Sequence, residues 1–407
     1  MSYIQRSAER KFLKMSGFFK VILVTGARQV GKTTMLKRLA ERQSRTYVSL
    51  DNLLARDLAR KDPVMFFQTY KPPIIIDEVQ YAPELFSQIK IICDNRDETG
   101  LFWLTGSQRF EMMKNVQESL AGRIGILEMY SLSKREQDSL FTDEPLAFSL
   151  DNLLERQKHS AKTDIVSVFD YIYNGGMPQV FTADDELRRE YFDSYVSTYL
   201  MRDATEFGGV TDTLRFGKFI TACAALTGQI LNIKTLADVA EISQPAAHNW
   251  LRLLEGMGII YLLRPFSNNA LKRLVKAPKL YFLDTGLAAH LSMWPTVDTL
   301  LNGAASGAFF ENFVVTELLK NLGAYAKANL SYYRDQNTKE IDLLVEIAGL
   351  IHPLEIKKSA NPDRRDVEKF GILSKIALQR GNGGIVCMCE DVIPIDSENC
   401  FIPCGLL

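Results

Sequence analysis

One short stretch near the start of the chain restricts the possible folds more than any other: KVILVTGARQVGKTT, at positions 20–34. A β-branched apolar run leads into a loop that contains Gly26 and Gly31, and a helical pattern begins after the loop. Glycine lets the backbone turn sharply and bring its N–H groups close to an anion, and the positive end of the following helix faces the same point. The order of strand, glycine loop and helix predicts a phosphate-binding loop.

The other residues of this loop suit a nucleotide. We expect Lys32 to reach the β and γ phosphates and the hydroxyl of Thr33 to complete the coordination of Mg²⁺. The predicted nucleotide site comprises Gly26, Ala27, Arg28, Gln29, Val30, Gly31, Lys32, Thr33 and Thr34.

A second strand, in PPIIIDEVQ, ends in two acidic residues. We expect Asp77 to hold Mg²⁺ through its water shell and Glu78 to polarise an attacking water. Acidic pairs at strand ends can also be simple solubilising caps. The complete phosphate loop upstream favours the catalytic interpretation, because both halves of a nucleotide site are then present.

Two further polar residues are catalytic candidates with a structural alternative. Ser107 ends the strand LFWLTGS, where its hydroxyl could sense the γ phosphate or cap a helix. Arg123, in SLAGRIG, could be an arginine finger or part of a structural ion pair.

The distribution of apolar runs predicts an α/β fold with several domains. Runs at 20–26, 46–50, 72–78, 101–107 and 124–130 indicate buried strands. Because helical stretches separate them, they predict a doubly wound parallel sheet covered on both faces. We predict an ATPase-like domain at 1–135, an insertion and helical linker at 136–211, a winged-helix domain at 212–300 and a C-terminal α/β domain at 301–407.

Composition limits the remaining possibilities. The 407 residues carry a net charge of −1, so any nucleic-acid binding must come from local basic patches. The six scattered cysteines favour a reducing compartment. No apolar run approaches the roughly 20 residues of a membrane helix, and the polar start lacks a secretory signal. We therefore expect a cytoplasmic protein without membrane contact.

The middle of the chain has the pattern of a winged helix. The helices KTLADVAE and QPAAHNWLRLLEGMG precede two strands, IIYLLRPF and KLYFLD, which flank a basic segment. Within this wing, at 272–279, lie Lys272, Arg273, Lys276 and Lys279. These cations could contact nucleic-acid phosphates, or they could be only solvated.

A charged hairpin near the end of the chain, IDLLVEIAGLIHPLEIKK, is the second candidate site. If the turn is centred on Ala348 and Gly349, Asp342 lies directly opposite Glu355, and Lys357 points to the same face. Opposed like charges are destabilising unless a cation compensates them, so this pair could hold a divalent metal. The alternative is an amphipathic hairpin with an exposed charged face.

These motifs together resemble a family, the AAA-type ATPases of bacteria and archaea that carry a nuclease-like C-terminal domain of unknown function. The resemblance is carried, in order, by GARQVGKTT, IIIDEVQYAPELF, LTGSQ, LAGR, YIYNGGMPQV, YLMRD, TGQILN, KRLVKAPKLYFLDTGLAAHL, FFENFVVTEL, YYRDQNTKEIDLLVE and LEIKKS. It therefore covers nearly the whole chain.

The resemblance implies ATP as the nucleotide, a winged-helix middle and a restriction-endonuclease-like end of the PD-(D/E)XK type. It also matches Glu311 to an additional acid of that nuclease fold, beside Asp342, Glu355 and Lys357. Two hypotheses follow: an ATPase whose nucleotide state controls a module acting on DNA or RNA, or a nucleotide-dependent switch whose C-terminal domain is a silent platform for a partner protein or a second copy.

Overall fold

The computed structural model describes residues 3–41, 43–106, 120–141, 146–160, 162, 164–206, 208–266, 276–322, 330–335, 339–375 and 379–407. It forms two compact units. The first comprises Met1–Ser131 with Gly256–Gly258, and the second comprises Leu132–Glu255 with Ile259–Leu407.

The first unit is built on a five-stranded sheet. Its helices and strands are Ala8–Ser16 (α1), Val21–Thr25 (β1), Lys32–Ala40 (α2), Thr46–Ser49 (β2), Leu53–Lys61 (α3), Pro63–Thr69 (α4), Ile74–Asp77 (β3), Leu85–Asp94 (α5), Phe102–Gly106 (β4) and Ile124–Glu128 (β5). The strands run parallel in the order β2-β3-β4-β1-β5. The predicted α/β fold with a parallel sheet is confirmed.

The apolar content of these strands explains the sheet. Every residue of β1, β3 and β4 is buried, as expected for strands that helices cover on both faces. Strand β3 ends at Asp77 because Glu78 adopts a left-handed conformation, with φ 57°, which cannot continue a strand. The carboxyl ends of β1, β3 and β4 meet at one edge, where the phosphate loop begins.

The second unit begins with helices. They are Lys134–Gln137 (α6), Leu150–Lys158 (α7), Ile165–Asn174 (α8), Asp185–Ser194 (α9), Met201–Glu206 (α10), Thr213–Ala225 (α11), Ile233–Ala240 (α12) and Gln244–Gly256 (α13), with a π-helical turn at Tyr195–Leu200. Two antiparallel strands, Ile260–Leu263 (β6) and Lys279–Phe282 (β7), follow. Among the helices in the described ranges, none is long and apolar enough to cross a membrane.

The rest of the second unit is a mixed sheet with helices before it. Its elements are Thr285–Leu291 (α14), Val297–Asn302 (α15), Ser306–Leu322 (α16), Leu330–Arg334 (β8), Glu340–Ile347 (β9), Leu350–Lys357 (β10), a 3₁₀ segment at Arg364–Lys375, Gln379–Arg380 (β11), Gly383–Cys387 (β12), Ile393–Pro394 (β13) and Asn399–Pro403 (β14). Strand β10 lies between antiparallel β9 and parallel β12.

The β9–β10 hairpin has the predicted register. Leu350 pairs with Ile347 and Leu354 with Leu343, and Pro353 causes no shift. Ala348 and Gly349 both have positive φ, 50° and 81°, as a two-residue turn with the right twist requires.

The side chains of this hairpin are more buried than an exposed charged face allows. Glu355 is fully buried, and the 3₁₀ segment contributes Val367, Phe370 and Leu373 to an apolar cluster with residues of β9 and β10. The exposed-face alternative therefore does not describe Glu355.

Candidate functional site

The phosphate loop depends on two glycines with unusual backbone angles. Gly26 has φ 141°, and a Cβ atom at this position would lie 2.0 Å from the carbonyl oxygen of Met129. Gly31 has φ 95° and lies directly before α2. Both positions exclude an ordinary side chain, because other residues rarely adopt these angles and no space is left at Gly26. The loop can therefore present its backbone to a ligand.

Lys32 lies over this loop. Its side chain is buried, and Nζ donates hydrogen bonds to the carbonyl oxygens of Gly26 at 3.0 Å and Ala27 at 2.7 Å. The first turn of α2 also carries Thr33, so an ammonium group and a hydroxyl group lie beside the free N–H groups of a helix start. This arrangement suits a polyphosphate anion.

Asp77 and Thr33 meet directly. The Thr33 hydroxyl donates to Oδ1 of Asp77 at 2.6 Å, and the Thr105 hydroxyl donates to the same oxygen. Tyr47 donates its hydroxyl to Oδ2 at 3.1 Å. No ion pair involves the buried Asp77 within the described part of the chain. Hydroxyl and carboxylate oxygens are the donors that Mg²⁺ prefers, so Thr33 and Asp77 fit an Mg²⁺ that arrives with the nucleotide.

Sequence reasoning did not identify Tyr47 and Thr105. Burial and the charge of Asp77 raise the pKa of Tyr47 to about 12, so its hydroxyl keeps its proton and donates it to the carboxylate. The signal for Thr105 was its place at the end of β4, where side chains of neighbouring parallel strands meet. For Tyr47 the signal was weaker. It lies in the strand β2, where it pairs with Ile75, and Ile75 comes two residues before Asp77.

Glu78 is positioned by local contacts. Its N–H donates to the Thr105 hydroxyl at 3.1 Å, and its carboxylate accepts a hydrogen bond from the Gln80 amide. The left-handed backbone of a non-glycine residue costs free energy, about 1 kcal/mol or more. The contacts of Glu78 therefore hold a carboxylate in a strained position directly after Asp77.

The remaining loop residues differ in their surroundings. Arg28, Gln29 and Thr34 are at least partly exposed. The carbonyl oxygen of Val30 accepts a hydrogen bond of 2.7 Å from the buried guanidinium of Arg6, which also donates to the Tyr130 carbonyl at 2.7 Å. Arg6 thus ties the loop to the end of β5, and no motif had indicated it.

The other two catalytic candidates remain predictions. Arg123 pairs with Asp94, with Nε 2.6 Å from Oδ1, and donates to the carbonyl oxygen of Ala121. Ser107 lies outside the described residues.

The second candidate site contains a lysine that we had assigned to the wing. Lys279 is 4% exposed, and its Nζ lies 2.9 Å from Oε1 of Glu311, 2.6 Å from Oε1 of Glu340 and 4.0 Å from Oδ1 of Asp342. The prediction that Lys279 contacts nucleic-acid phosphates is therefore wrong for this structure. Lys276 is exposed, as a wing residue should be, and Lys272 and Arg273 lie outside the described residues.

Charges and burial explain the protonation of this site. Burial opposes the charged form of Lys279, but the carboxylates of Glu311, Asp342 and Glu340 outweigh it and raise its pKa above the ordinary value. Burial also raises the pKa of Glu311, and burial and the Glu311 charge raise that of Tyr281. The Tyr281 hydroxyl donates to Glu311 at 2.6 Å.

Glu355 has its own lysines. Its Oε2 lies 2.5 Å from Nζ of Lys369 and 3.6 Å from Nζ of Lys357. Burial, reinforced by the charge of Asp342, raises the pKa of Glu355 to about 8. Asp342 accepts a hydrogen bond from the N–H of Ile356 at 3.0 Å.

This second site does not fit a divalent cation as it stands. In the described ranges no group of three or more His, Cys, Asp or Glu side chains has an arrangement that could hold a metal ion. The Lys279 ammonium lies beside Glu311 and Asp342, and the Lys369 ammonium lies beside Glu355. These contacts oppose the assignment of Asp342 and Glu355 as metal ligands, with Glu311 and Lys357, and that assignment stays a prediction.

Comparison with known families supports the interpretation of the first site. Residues 18–137 match the family model of the AAA domain. The first third of the chain is an AAA-type P-loop ATPase domain. Residues 166–298 and 306–407 match two domains of unknown function, DUF8612 and DUF4143.

Similar proteins extend over most of the chain. Uncharacterized protein Rv2008c of Mycobacterium tuberculosis is 29% identical over 345 residues, which cover 84% of this chain and 71% of the relative. An uncharacterized protein of Haemophilus influenzae is 22% identical over 372 residues, which cover 86% of this chain and 84% of the relative. Among solved structures, the Walker-type ATPase PABY2304 of Pyrococcus abyssi is 15% identical with a TM-score of 0.46, and the match covers 72% of this chain and 96% of that structure.

Proposed function

We propose that this protein binds ATP with Mg²⁺ at residues 26–34 and hydrolyses it. The observation that carries the proposal is the direct hydrogen bond between Thr33 and Asp77. It joins the helix that follows the phosphate loop to the acidic strand end, as a shared metal site requires.

Each residue has one task in the proposed reaction. The loop N–H groups and Lys32 bind the phosphates and neutralise the charge that develops on them. Thr33 and Asp77 would hold Mg²⁺, which adds further neutralisation when bound. Glu78 orients a water and draws its proton, and the hydrogen bond from Gln80 keeps the Glu78 carboxylate in position.

Measurement of ATP turnover in the presence of Mg²⁺ tests this proposal. We expect Lys32→Ala to lower turnover by at least about 100-fold, because a preorganised charge on the phosphates is lost. Lys90→Ala, which changes an exposed lysine of the same unit, should leave turnover unchanged within about twofold. Glu78→Gln should retain ATP binding while turnover falls. Wild-type turnover no higher than that of Lys32→Ala would contradict the proposal.

For the second unit, two functions compete. Helices α11, α12 and α13, followed by β6 and β7, have the order of a winged helix, and this order supports a module acting on DNA or RNA. The lysine among the carboxylates of the second site favours the alternative. In that alternative, the nucleotide state of the ATPase controls a C-terminal domain that binds a partner without cleaving nucleic acid.

One assay separates the two. ATP turnover and cleavage of DNA and RNA are measured together, with and without nucleic acid. Cleavage that requires Mg²⁺ and disappears in Lys357→Ala would favour the nuclease. ATP turnover that nucleic acid does not change, together with no cleavage of several substrates, would favour a C-terminal domain that only binds a partner.

A further inference from the structure

Three carboxylates of the second unit enclose one ammonium group. Glu311 lies on α16, Glu340 and Asp342 lie on β9, and Lys279 reaches them from β7. Its Nζ is 2.9 Å, 2.6 Å and 4.0 Å from their nearest oxygens. A cation therefore already lies within 4.0 Å of all three carboxylates.

The backbone around Lys279 is fixed on both sides. Lys279 pairs with Leu263 in the antiparallel β6–β7 ladder and forms an isolated bridge with Ile230 on its other side. The residues beside it are also bonded, because the Leu280 N–H donates to the Gln229 carbonyl at 3.0 Å. The lysine cannot slide away from the carboxylates unless these pairings open.

The side chain is equally confined. Lys279 is 4% exposed, and its Nζ lies 5.6 Å from the centroid of the Tyr332 ring, whose hydroxyl donates to the Ala277 carbonyl at 2.6 Å. A buried ammonium is stable only if it stays paired. Withdrawal of Lys279 would leave its ammonium group unpaired. Glu311 and Asp342 would lose their cation, and Glu340 would keep only Arg334 at 3.9 Å.

We propose that Lys279 is a permanent internal cation of the Glu311–Glu340–Asp342 cluster and that it excludes a divalent metal from it. An ion coordinated by the same oxygens would lie next to the ammonium group, and two cations at that distance in a poorly solvated site repel strongly. Metal and lysine therefore exclude each other.

The neighbouring carboxylate follows the same rule. Glu355 lies 2.5 Å from the ammonium of Lys369, which comes from the 3₁₀ segment. Each carboxylate of the predicted metal site, Glu311, Asp342 and Glu355, thus lies within 4.0 Å of a lysine ammonium group. Glu340 also lies 3.9 Å from the guanidinium of Arg334, so each of these carboxylates has a basic partner without a metal ion.

Binding of Mn²⁺ to the nucleotide-free full chain tests the proposal, with free Mn²⁺ measured by electron paramagnetic resonance. Wild type and Asp342→Asn should bind Mn²⁺ identically, because the lysine already excludes the metal. Lys279→Met should gain one site with at least tenfold tighter apparent affinity, and the double variant Lys279→Met/Asp342→Asn should lose it. The comparison with and without Asp342→Asn distinguishes Mn²⁺ bound at this cluster from Mn²⁺ bound near Asp77, because only the former depends on Asp342.

Two results would overturn the proposal. One is a wild-type Mn²⁺ site that Asp342→Asn removes, because the metal would then bind despite the lysine; this comparison needs no change at Lys279. The other is a folded Lys279→Met variant that gains no site. If Lys279→Met does not fold, Lys279→Gln, which keeps hydrogen-bond donors without the charge, is measured against the same expectation.

Discussion

Buried carboxylates are stabilised in opposite ways in the two units of this protein. Asp77 of the ATPase domain has three hydroxyl partners and no ion pair within the described residues, so a cation can still be added. Glu311 and Glu355 of the second unit have lysines within hydrogen-bond distance. The difference indicates what each site accepts: neutral donors leave a place for an exchangeable metal, whereas a built-in ammonium group fills it.

The largest expected effect concerns Asp77. Asp77→Asn should lower ATP turnover by at least about 100-fold, because the carboxylate that would hold Mg²⁺ loses its charge. Turnover is measured across a series of Mg²⁺ concentrations. Asp57→Asn, which alters a surface ion pair with Lys61, serves as the control and should change turnover less than twofold. Full activity in Asp77→Asn would show that Asp77 does not hold a catalytic metal, and the proposed difference between the carboxylates of the two units would then be wrong.

A smaller effect, one that depends on pH, is expected for the ion pair between Glu355 and Lys369. Because the pKa of Glu355 is raised from 4.5 to about 8, the folded protein holds this proton more tightly than the unfolded chain does. Stability from this group therefore decreases as pH rises from about 4.5 to about 8. Above that range the buried carboxylate is charged and relies on Lys369.

Lys369→Met should consequently lower the free energy of unfolding by about 2 to 3 kcal/mol at pH 9 and by less at pH 6. Urea denaturation with EDTA at both pH values measures the difference. The matched control is Lys162→Met, which removes an exposed ion pair of the same 2.5 Å length and should leave the midpoint unchanged. Equal losses at the two pH values would show that Lys369 acts only by packing.

The smallest effect is expected at Arg123. Its ion pair with Asp94 is partly exposed, so Arg123→Ala and Asp94→Asn should each cost about 0.5 to 1 kcal/mol of stability and keep turnover within about threefold. Thermal unfolding and ATP turnover of both variants provide the comparison. If turnover falls tenfold or more in Arg123→Ala alone, the guanidinium acts as an arginine finger.

The two units also differ in how much of them could be predicted from sequence. The phosphate loop is a local motif, and the parallel sheet follows from continuous apolar runs, so the contact of Thr33 with Asp77 could be expected. The register of the β9–β10 hairpin could be predicted as well, because its turn is only two residues long and its side chains alternate.

What sequence reasoning missed depends on distant contacts. Lys279 precedes Glu340 by more than sixty positions, and its neighbours in the sequence are the basic residues of the wing. Nothing in the local pattern distinguishes a lysine that meets carboxylates from one that faces solvent. The burial of Glu355 depends on the 3₁₀ segment that follows the hairpin. The position of Arg6 depends on the carbonyl groups of Val30 and Tyr130, which lie in two separate loops.

The confinement of Lys279 also has a consequence for its covalent chemistry. An amine reacts with acylating reagents only in its neutral, accessible form, and both the buried position and the raised pKa of Lys279 suppress that form. Lys276, three positions earlier, is exposed to solvent. Two lysines of one short basic segment therefore belong to different reactivity classes, one open to modification and one protected for as long as β7 stays paired.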